Sequence, residues 1–313
     1  MMPRYPVYIP SKGRADICLT AKGLDADVVP FWLVVEPQER DIYASRFGYE
    51  RVLALPFSNL GQGSIPARNW IKDYSTAAGN ARHWQLDDNM RGFYRVYKGK
   101  RLHCYAGSAL RVVEDLADRY ENIALAGMQY DMFYNERSNQ KPFCINHKIY
   151  SCTLVLNSTP HRWRGRYNED TDMCLQVLSS GWCTLQVQAF LCKKQHTMTM
   201  RGGNTDDLYK GDGRLKMARS LERMWPGIVQ VKRRFQRPQH VINWDAFKTK
   251  PKLKAGIDID ALRDAGPDEY GMELQELGEV KSPKLRELLE EWRRDYPRSN
   301  SPLDNLKKAE LKV

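Results

Sequence analysis

Two short runs carry side chains suited to chemistry. In RHWQLDDNM, residues 82–90, a mixed apolar stretch ends on Asp87, Asp88 and Asn89. Adjacent carboxylates and an amide offer hard oxygen ligands to a divalent cation, with positions left for phosphate oxygens and water. Turns favour the same residues, so the triplet alone also reads as a turn. In WRGRYNEDTDMCLQVLSSGW, residues 163–182, Asn168, Glu169, Asp170 and Asp172 precede an apolar helical face of Met173, Leu175, Val177 and Leu178. One carboxylate there, Asp170 first and Glu169 second, is suited to take the proton of an attacking hydroxyl. Acidic residues in a first helical turn also favour the helix dipole, which is the plainer reading of the same cluster.

Such groups need elements that hold them. PVYIP reads as a strand running into a polar loop with Gly13, and a helix is expected around Ile17 to Gly23. VVPFWLVV is a continuous apolar run, the pattern of a strand covered on both faces, and Pro37 ends the segment. ERDIYASRF reads as a helix, VLALP as a third strand, IPARNWIKDYSTAAGN as a helix and HWQLDDN as the fourth strand. Alternation of this kind predicts an open α/β sheet, in which ligands collect at the carboxyl ends of the strands. Three polar clusters then share one rim: Ser11 to Asp16, Glu36 to Glu39, and Asp87 to Asn89.

Composition bounds the possibilities. With 313 residues, 42% hydrophobic and 28% charged, the chain is long enough for a large α/β domain with an appendage. The expected division is a catalytic domain over 1–210, a basic segment over 211–254 and an accessory helical tail over 255–313. Seven scattered cysteines, none spaced C-x-x-C, argue against a disulfide framework or a zinc site and favour a reducing, cytoplasmic setting. No apolar run approaches the roughly 20 residues that span a bilayer. The net charge of +11 is concentrated between Arg214 and Lys254, where twelve Lys or Arg face Glu222 and Asp245. There Lys232, Arg233, Arg234 and Arg237 interleave with Phe235, His240 and Trp244, a mixture suited to phosphates and stacked bases, or to a solvated basic face. In the tail, SPKLRELLEEWRRDYP reads as an amphipathic helix capped at Ser282.

The run GQGSIPARNWIKDYSTAAGNARHWQLDDN resembles the nucleotide-sugar-binding half of glycosyltransferases with the GT-A fold, where a helix bearing Ala-Arg-Asn leads into the strand with the Asp-x-Asp motif. IPSKGRAD, LVVEPQE, RYNEDTDMCLQVL and HTMTMRGGN, in that order, resemble more narrowly the TET/JBP-associated glycosyltransferases, a phage-rich family linked to sugar transfer onto hydroxymethylated pyrimidines in DNA. The resemblance covers roughly residues 5 to 210 and implies a Rossmann-like α/β fold that uses a UDP-sugar, glucose first, with Mn²⁺ or Mg²⁺. By resemblance, Pro10, Ser11, Lys12, Gly13 and Arg14 form the loop that touches the nucleotide, Glu36 recognises the base or ribose, and Arg68 reaches the ribose or diphosphate. Asp87, Asp88 and Asn89 fall on the metal motif, whose third position is here an amide instead of the usual carboxylate. Asp170 falls where inverting enzymes carry the base. His196 stands where a histidine can hold the metal or diphosphate, and Arg201 with Gly202 and Gly203 can close over the diphosphate.

The implied partner is double-stranded DNA carrying 5-hydroxymethylcytosine or a related base. The aromatic and basic segments Gly92–Gly107 and Met128–Ile149 lie between the two motifs and are candidates for an acceptor groove. A protein, polysaccharide or small-molecule acceptor on the same fold, or a nucleic-acid binder without catalysis, remain the alternatives.

Overall fold

The computed structural model describes residues 1–136, 140–165, 167–195, 213–234 and 237–272. Its first third alternates strand and helix: β1 (Val7–Pro10), α1 (Leu19–Ala26), β2 (Trp32–Val35), α2 (Arg40–Phe47), β3 (Val52–Ala54), α3 (Ile65–Ala77) and β4 (Arg82–Leu86). These strands pair in parallel in the order β3-β2-β1-β4. From β1 the chain moves outward through β2 to β3, then returns through α3 to the other side of β1. A reversal of this kind leaves a crevice at the carboxyl ends of β1 and β4, and there the chain places Ser11 and Asp87 to Asn89.

The apolar run 28–35 does not form one strand. Val28 adopts a left-handed conformation with φ of 56°, and Val29 N–H bonds the Leu24 carbonyl at 2.8 Å. The start of the run therefore closes α1, and only Trp32–Val35 extends. Helix α1 likewise begins later than the sequence suggests, after a single 3-10 turn at Ala15–Ile17.

Beyond β4 the architecture changes. Strands β5 (Met90–Tyr97), β6 (Lys100–Cys104), β7 (Ile123–Tyr130), β8 (Phe143–Ile145), β9 (Cys152–Leu156) and β10 (Cys183–Lys194), with helices α4 (Ala106–Ala117) and α5 (Glu169–Ser179), complete a ten-stranded mixed sheet. Antiparallel β9 joins β4 to β7, and β10 runs parallel to β7 but antiparallel to β5 and β8. Pairing of Leu86 with Cys152 sets Ser151 beside Asp87. Ile65 of α3 joins Met173, Cys174 and Val177 of α5 in a core with Leu125 and Val155. Fully buried Trp84 donates to Glu114 Oε1 at 2.8 Å, and Glu114 Oε2 accepts the Arg4 N–H at 2.7 Å, which ties the N-terminal segment to α4.

The basic segment is part of the same compact unit, Met1–Ile257. It holds α6 (Gly213–Met224) and an antiparallel hairpin of β11 (Val229–Arg234) and β12 (Arg237–Ile242). Leu221 and Val229 pack on Leu175 of α5 with Trp225, Ile242 and Trp244, while Lys232, Arg233 and Arg237 are exposed. Asp258–Val313 form a second unit. Its described part contains α7 (Ile259–Asp264), capped by Asp258, which accepts the N–H groups of Asp260 and Ala261 at 3.0 Å each. The expected helix from Ser282 lies outside the described residues. Among the described residues, no helix is long and apolar enough to cross a membrane.

Candidate active site

The crevice is built from the strand ends inward. Thr20 at the start of α1 fixes the Asp-Asp-Asn turn: its N–H bonds the Asp88 carbonyl at 3.2 Å, its hydroxyl donates to the Asp87 carbonyl, and its oxygen accepts the Met90 N–H at 2.9 Å. The turn reading of this triplet is thus correct as far as the backbone goes. Its side chains, however, are engaged with charge.

Asp87 is held by four groups from three residues on separate parts of the chain. Oδ1 accepts from Arg68 Nη2 of α3 at 2.6 Å. Oδ2 accepts from Lys194 Nζ, the last residue of β10, and from Ser151 Oγ ahead of β9, each at 2.6 Å. Its backbone N–H donates to the Ser151 carbonyl at 2.8 Å. Burial alone would raise the carboxyl pKa, but Lys194 and Arg68 outweigh it and hold Asp87 well below the usual range. Arg68 itself is buried, and its charge is kept, against burial, by Asp170 and Asp87.

Asp88 faces a separate set of partners. Arg14 Nη1 donates to Oδ1 at 2.6 Å and Ser11 Oγ to Oδ2 at 2.7 Å. Burial raises its pKa despite Arg14 and Ser11. Asn89 Oδ1 is buried and has no hydrogen-bond partner among the described residues.

Helix α3 explains why an Ala-Arg-Asn triplet belongs here. Arg68 crosses to Asp87, while Asn69 takes both backbone groups of Trp163, donating to its carbonyl at 2.8 Å and accepting its N–H at 3.0 Å. That grip positions the loop leading to α5. Asp170 Oδ1 consequently lies 3.7 Å from Arg68 Nη2 and 3.4 Å from Trp163 Nε1. Glu169 accepts from Ser64 Oγ at 3.2 Å, and burial followed by the Asp170 charge raises its pKa. Asp172 is fully buried and structural: Arg164, Gln176 and Trp225 Nε1 all donate to it.

Toward the other end of the crevice, Lys12 Nζ bonds Glu36 Oε1 at 2.8 Å and Asn59 Oδ1 at 3.0 Å. Glu36 also accepts Asn59 N–H at 3.0 Å, and despite some burial these bonds lower its pKa. Gly13, at φ of 67°, turns its N–H onto Glu39 Oε1 at 2.6 Å, leaving buried Glu39 Oε2 without a partner. Two buried oxygens on this rim, on Asn89 and Glu39, thus have no hydrogen-bond partner among the described residues.

A family model described as TET-Associated Glycosyltransferase matches residues 5–203. The chain belongs to the TET-associated glycosyltransferase family. It is a glycosyltransferase on a Rossmann-like α/β fold, and membership implies a nucleotide-sugar donor. No curated protein matches the chain.

In this glycosyltransferase the structure brings Ser11, Arg14, Arg68, Asp87, Asp88, Asn89, Glu169 and Asp170 into one linked cluster, with Lys12, Gly13, Glu36 and Pro10 along the same rim. His196 and Arg201 lie outside the described residues. Lys232, Arg233 and Arg237 lie on the hairpin and make no contact with this cluster among the interactions described.

The metal implied by the sequence motif meets a poor donor set. Among the described residues no group of three His, Cys, Asp or Glu side chains is placed to hold an ion. Both oxygens of Asp87 and both of Asp88 are occupied by cationic or hydroxyl donors. Lys194 holds the place on Asp87 that a cation would take, so the described residues as arranged do not fit a bound dication.

Lys194 and Ser151 were not singled out by residue type and spacing, whereas Glu39 falls in the polar cluster Glu36 to Glu39. The pair Lys193-Lys194 closing a continuous apolar strand was the available signal. A deeper support also escaped the sequence. Buried His83 shares short contacts with Asn157 Oδ1 at 2.5 Å and Gln85 Nε2 at 2.9 Å, and Gln85 in turn donates to the Arg68 carbonyl and accepts from its guanidinium. This network requires a neutral imidazole with the proton on Nδ1.

Proposed function

We propose that this glycosyltransferase moves a sugar, glucose first, from a UDP-sugar to the hydroxymethyl group of a modified pyrimidine in phage DNA, 5-hydroxymethylcytosine first. The observation that carries the reading is Arg68: one guanidinium lies 2.6 Å from Asp87 and 3.7 Å from Asp170. It links the strand end suited to a diphosphate with the carboxylate suited to a proton.

In this reading Lys12, Gly13 and Glu36 take the nucleoside, with the free Glu39 oxygen accepting a ribose hydroxyl. Asn89 Oδ1 accepts a hydroxyl of the donor sugar. Asp170 takes the proton of the acceptor hydroxyl as its oxygen attacks the anomeric carbon. The bond from that carbon to the diphosphate oxygen breaks, and the electron pair leaves with the UDP. Arg68 and Lys194 flank Asp87, and in this reading their two positive charges stabilise the charge that develops on the leaving diphosphate. A single displacement of this kind inverts the anomeric centre. Because the carboxylates do not fit a dication, no step is assigned to Mn²⁺ or Mg²⁺. The exposed Lys232, Arg233 and Arg237 hold the DNA backbone.

The test is transfer itself. Purified protein is incubated with UDP-sugars, with and without Mn²⁺ or Mg²⁺, on unmodified and 5-hydroxymethylcytosine DNA, and nucleosides are analysed by mass spectrometry. A hexose on the modified base alone supports the proposal. Donor turnover without a DNA product leaves a transferase with another acceptor, and the absence of both donor turnover and donor binding overturns the reading.

A further inference from the structure

Beside Lys194 stands a group of aromatic side chains that donor binding does not use. Tyr130 ends β7 with its ring 5.9 Å from Lys194 Nζ, and its hydroxyl lies 2.5 Å from the Ser151 hydroxyl that donates to Asp87. The Tyr150 ring is 6.2 Å from that of Tyr130, and its hydroxyl accepts from Thr171 Oγ1, one residue past Asp170, at 3.1 Å. Phe133 lies 5.8 Å from Tyr130 and is 50% exposed. The group is thus bonded to Asp87 at one end and to the helix of Asp170 at the other. In the proposed reading, the acceptor hydroxyl meets Asp170 beside this group.

Lys148 gives the group a charge. Its ammonium sits 4.8 Å over the Phe133 ring and 5.4 Å over the Tyr150 ring, and it forms no salt bridge among the described residues. Burial lowers its pKa, as expected for a cation without a counter-charge. Burial followed by the Lys148 charge also lowers the pKa values of His147 and of His240 on β12. Lys148 therefore lies near His240 on the hairpin that exposes Lys232 and Arg233. Aromatic faces plus an unpaired ammonium form a site for a flat ring attached to an anion.

We propose that Phe133, Tyr150 and Lys148 form the acceptor subsite, where the aromatic faces stack a pyrimidine extruded from a polynucleotide and Lys148 takes one of its flanking phosphates. The inference rests on the transferase reading of Asp87 and Asp170. A base must leave the duplex stack for its substituent to reach a pocket, and this group supplies the replacement stacking surface.

The test uses the full chain and the variants Phe133→Ala, Phe133→Trp and Lys148→Met, with melting temperature as the check on folding. Fluorescence anisotropy reads affinity for a single-stranded 5-hydroxymethylcytosine oligonucleotide without requiring turnover. Hydrolysis of UDP-glucose without DNA reads the donor side. Phe133→Ala is expected to weaken oligonucleotide binding about tenfold or more and Phe133→Trp to restore it, since base stacking tolerates either ring. Lys148→Met is expected to reduce the salt dependence by about one phosphate contact. Donor hydrolysis stays at the wild-type rate in all three. Unchanged oligonucleotide affinity in both Phe133→Ala and Lys148→Met overturns the proposal, and so does a loss confined to a saccharide acceptor. Failure of the wild type to hydrolyse or bind any donor instead marks failure of the transferase reading, and the affinity data still decide the subsite.

Discussion

At the scale of single residues, the proposed function gives Asp170 and Lys194 separable duties. Asp170→Asn keeps the shape of the site and removes the proton acceptor. Turnover is expected to fall by roughly 10² to 10⁴, with UDP affinity within about twofold of wild type by calorimetry. Lys194→Met removes a charge that faces the leaving group, so transfer is expected to fall by roughly 10² or more. Because Lys194 already occupies Asp87, transfer is expected to persist in excess EDTA, and abolition by the chelator would refute the assignment of that cation. The acidic members of this site were legible because a strand end and a helix start expose them in the chain itself. Lys194 and Ser151 were not, since each reaches the site through long-range strand pairing that local spacing does not encode. Asp172, adjacent in sequence to the site and alike in type, turned out to be an internal anchor. Only its partners Arg164 and Trp225 reveal this.

At the scale of elements, the first four strands were readable from apolar periodicity, and the second half was less so. Antiparallel β9 inserted between β4 and β7 depends on register across distant segments. One residue marks how tight that insertion is. A Cβ on Gly127 of β7 would meet the Cys152 carbonyl of β9 too closely to be accommodated without backbone movement. Gly127→Ala is therefore expected to destabilise the fold by about 1 to 3 kcal/mol, measured by urea unfolding, and also to raise KM by moving Ser151 from Asp87. An unchanged unfolding midpoint would refute the close approach. The basic segment carries a similar lesson. Its composition suggested an exposed strip, but its apolar members Leu221, Val229 and Trp225 fasten the hairpin to α5.

For the whole molecule, pH acts through the interior. Burial holds His83 down to about 3 from its ordinary value of 6.5. The unfolded chain then binds more protons than the folded one between these values. Stability from this group is complete above about pH 6.5 and is lost as pH falls toward 3. Urea midpoints are expected to decline across that window, and His83→Gln is expected to flatten the decline. The same protonation would turn a donor toward the Gln85 amide and loosen Arg68, so activity is expected to fall on the acid side together with stability. A wild-type midpoint that does not change across the window would exclude this role.

The sheet changes direction at one seam, where parallel β4 meets antiparallel β9. The proposed nucleoside contacts lie on the β1 side, and the aromatic group with Lys148 lies on the β7 side. The two halves can therefore diverge at different rates: a lineage can retain its sugar donor while replacing the surface that meets a new acceptor. Laboratory recombination has the same freedom. Exchange of residues 128–150 with those of a relative, keeping Gly127 and the β9 register, should yield hybrids that keep one substrate and change the other.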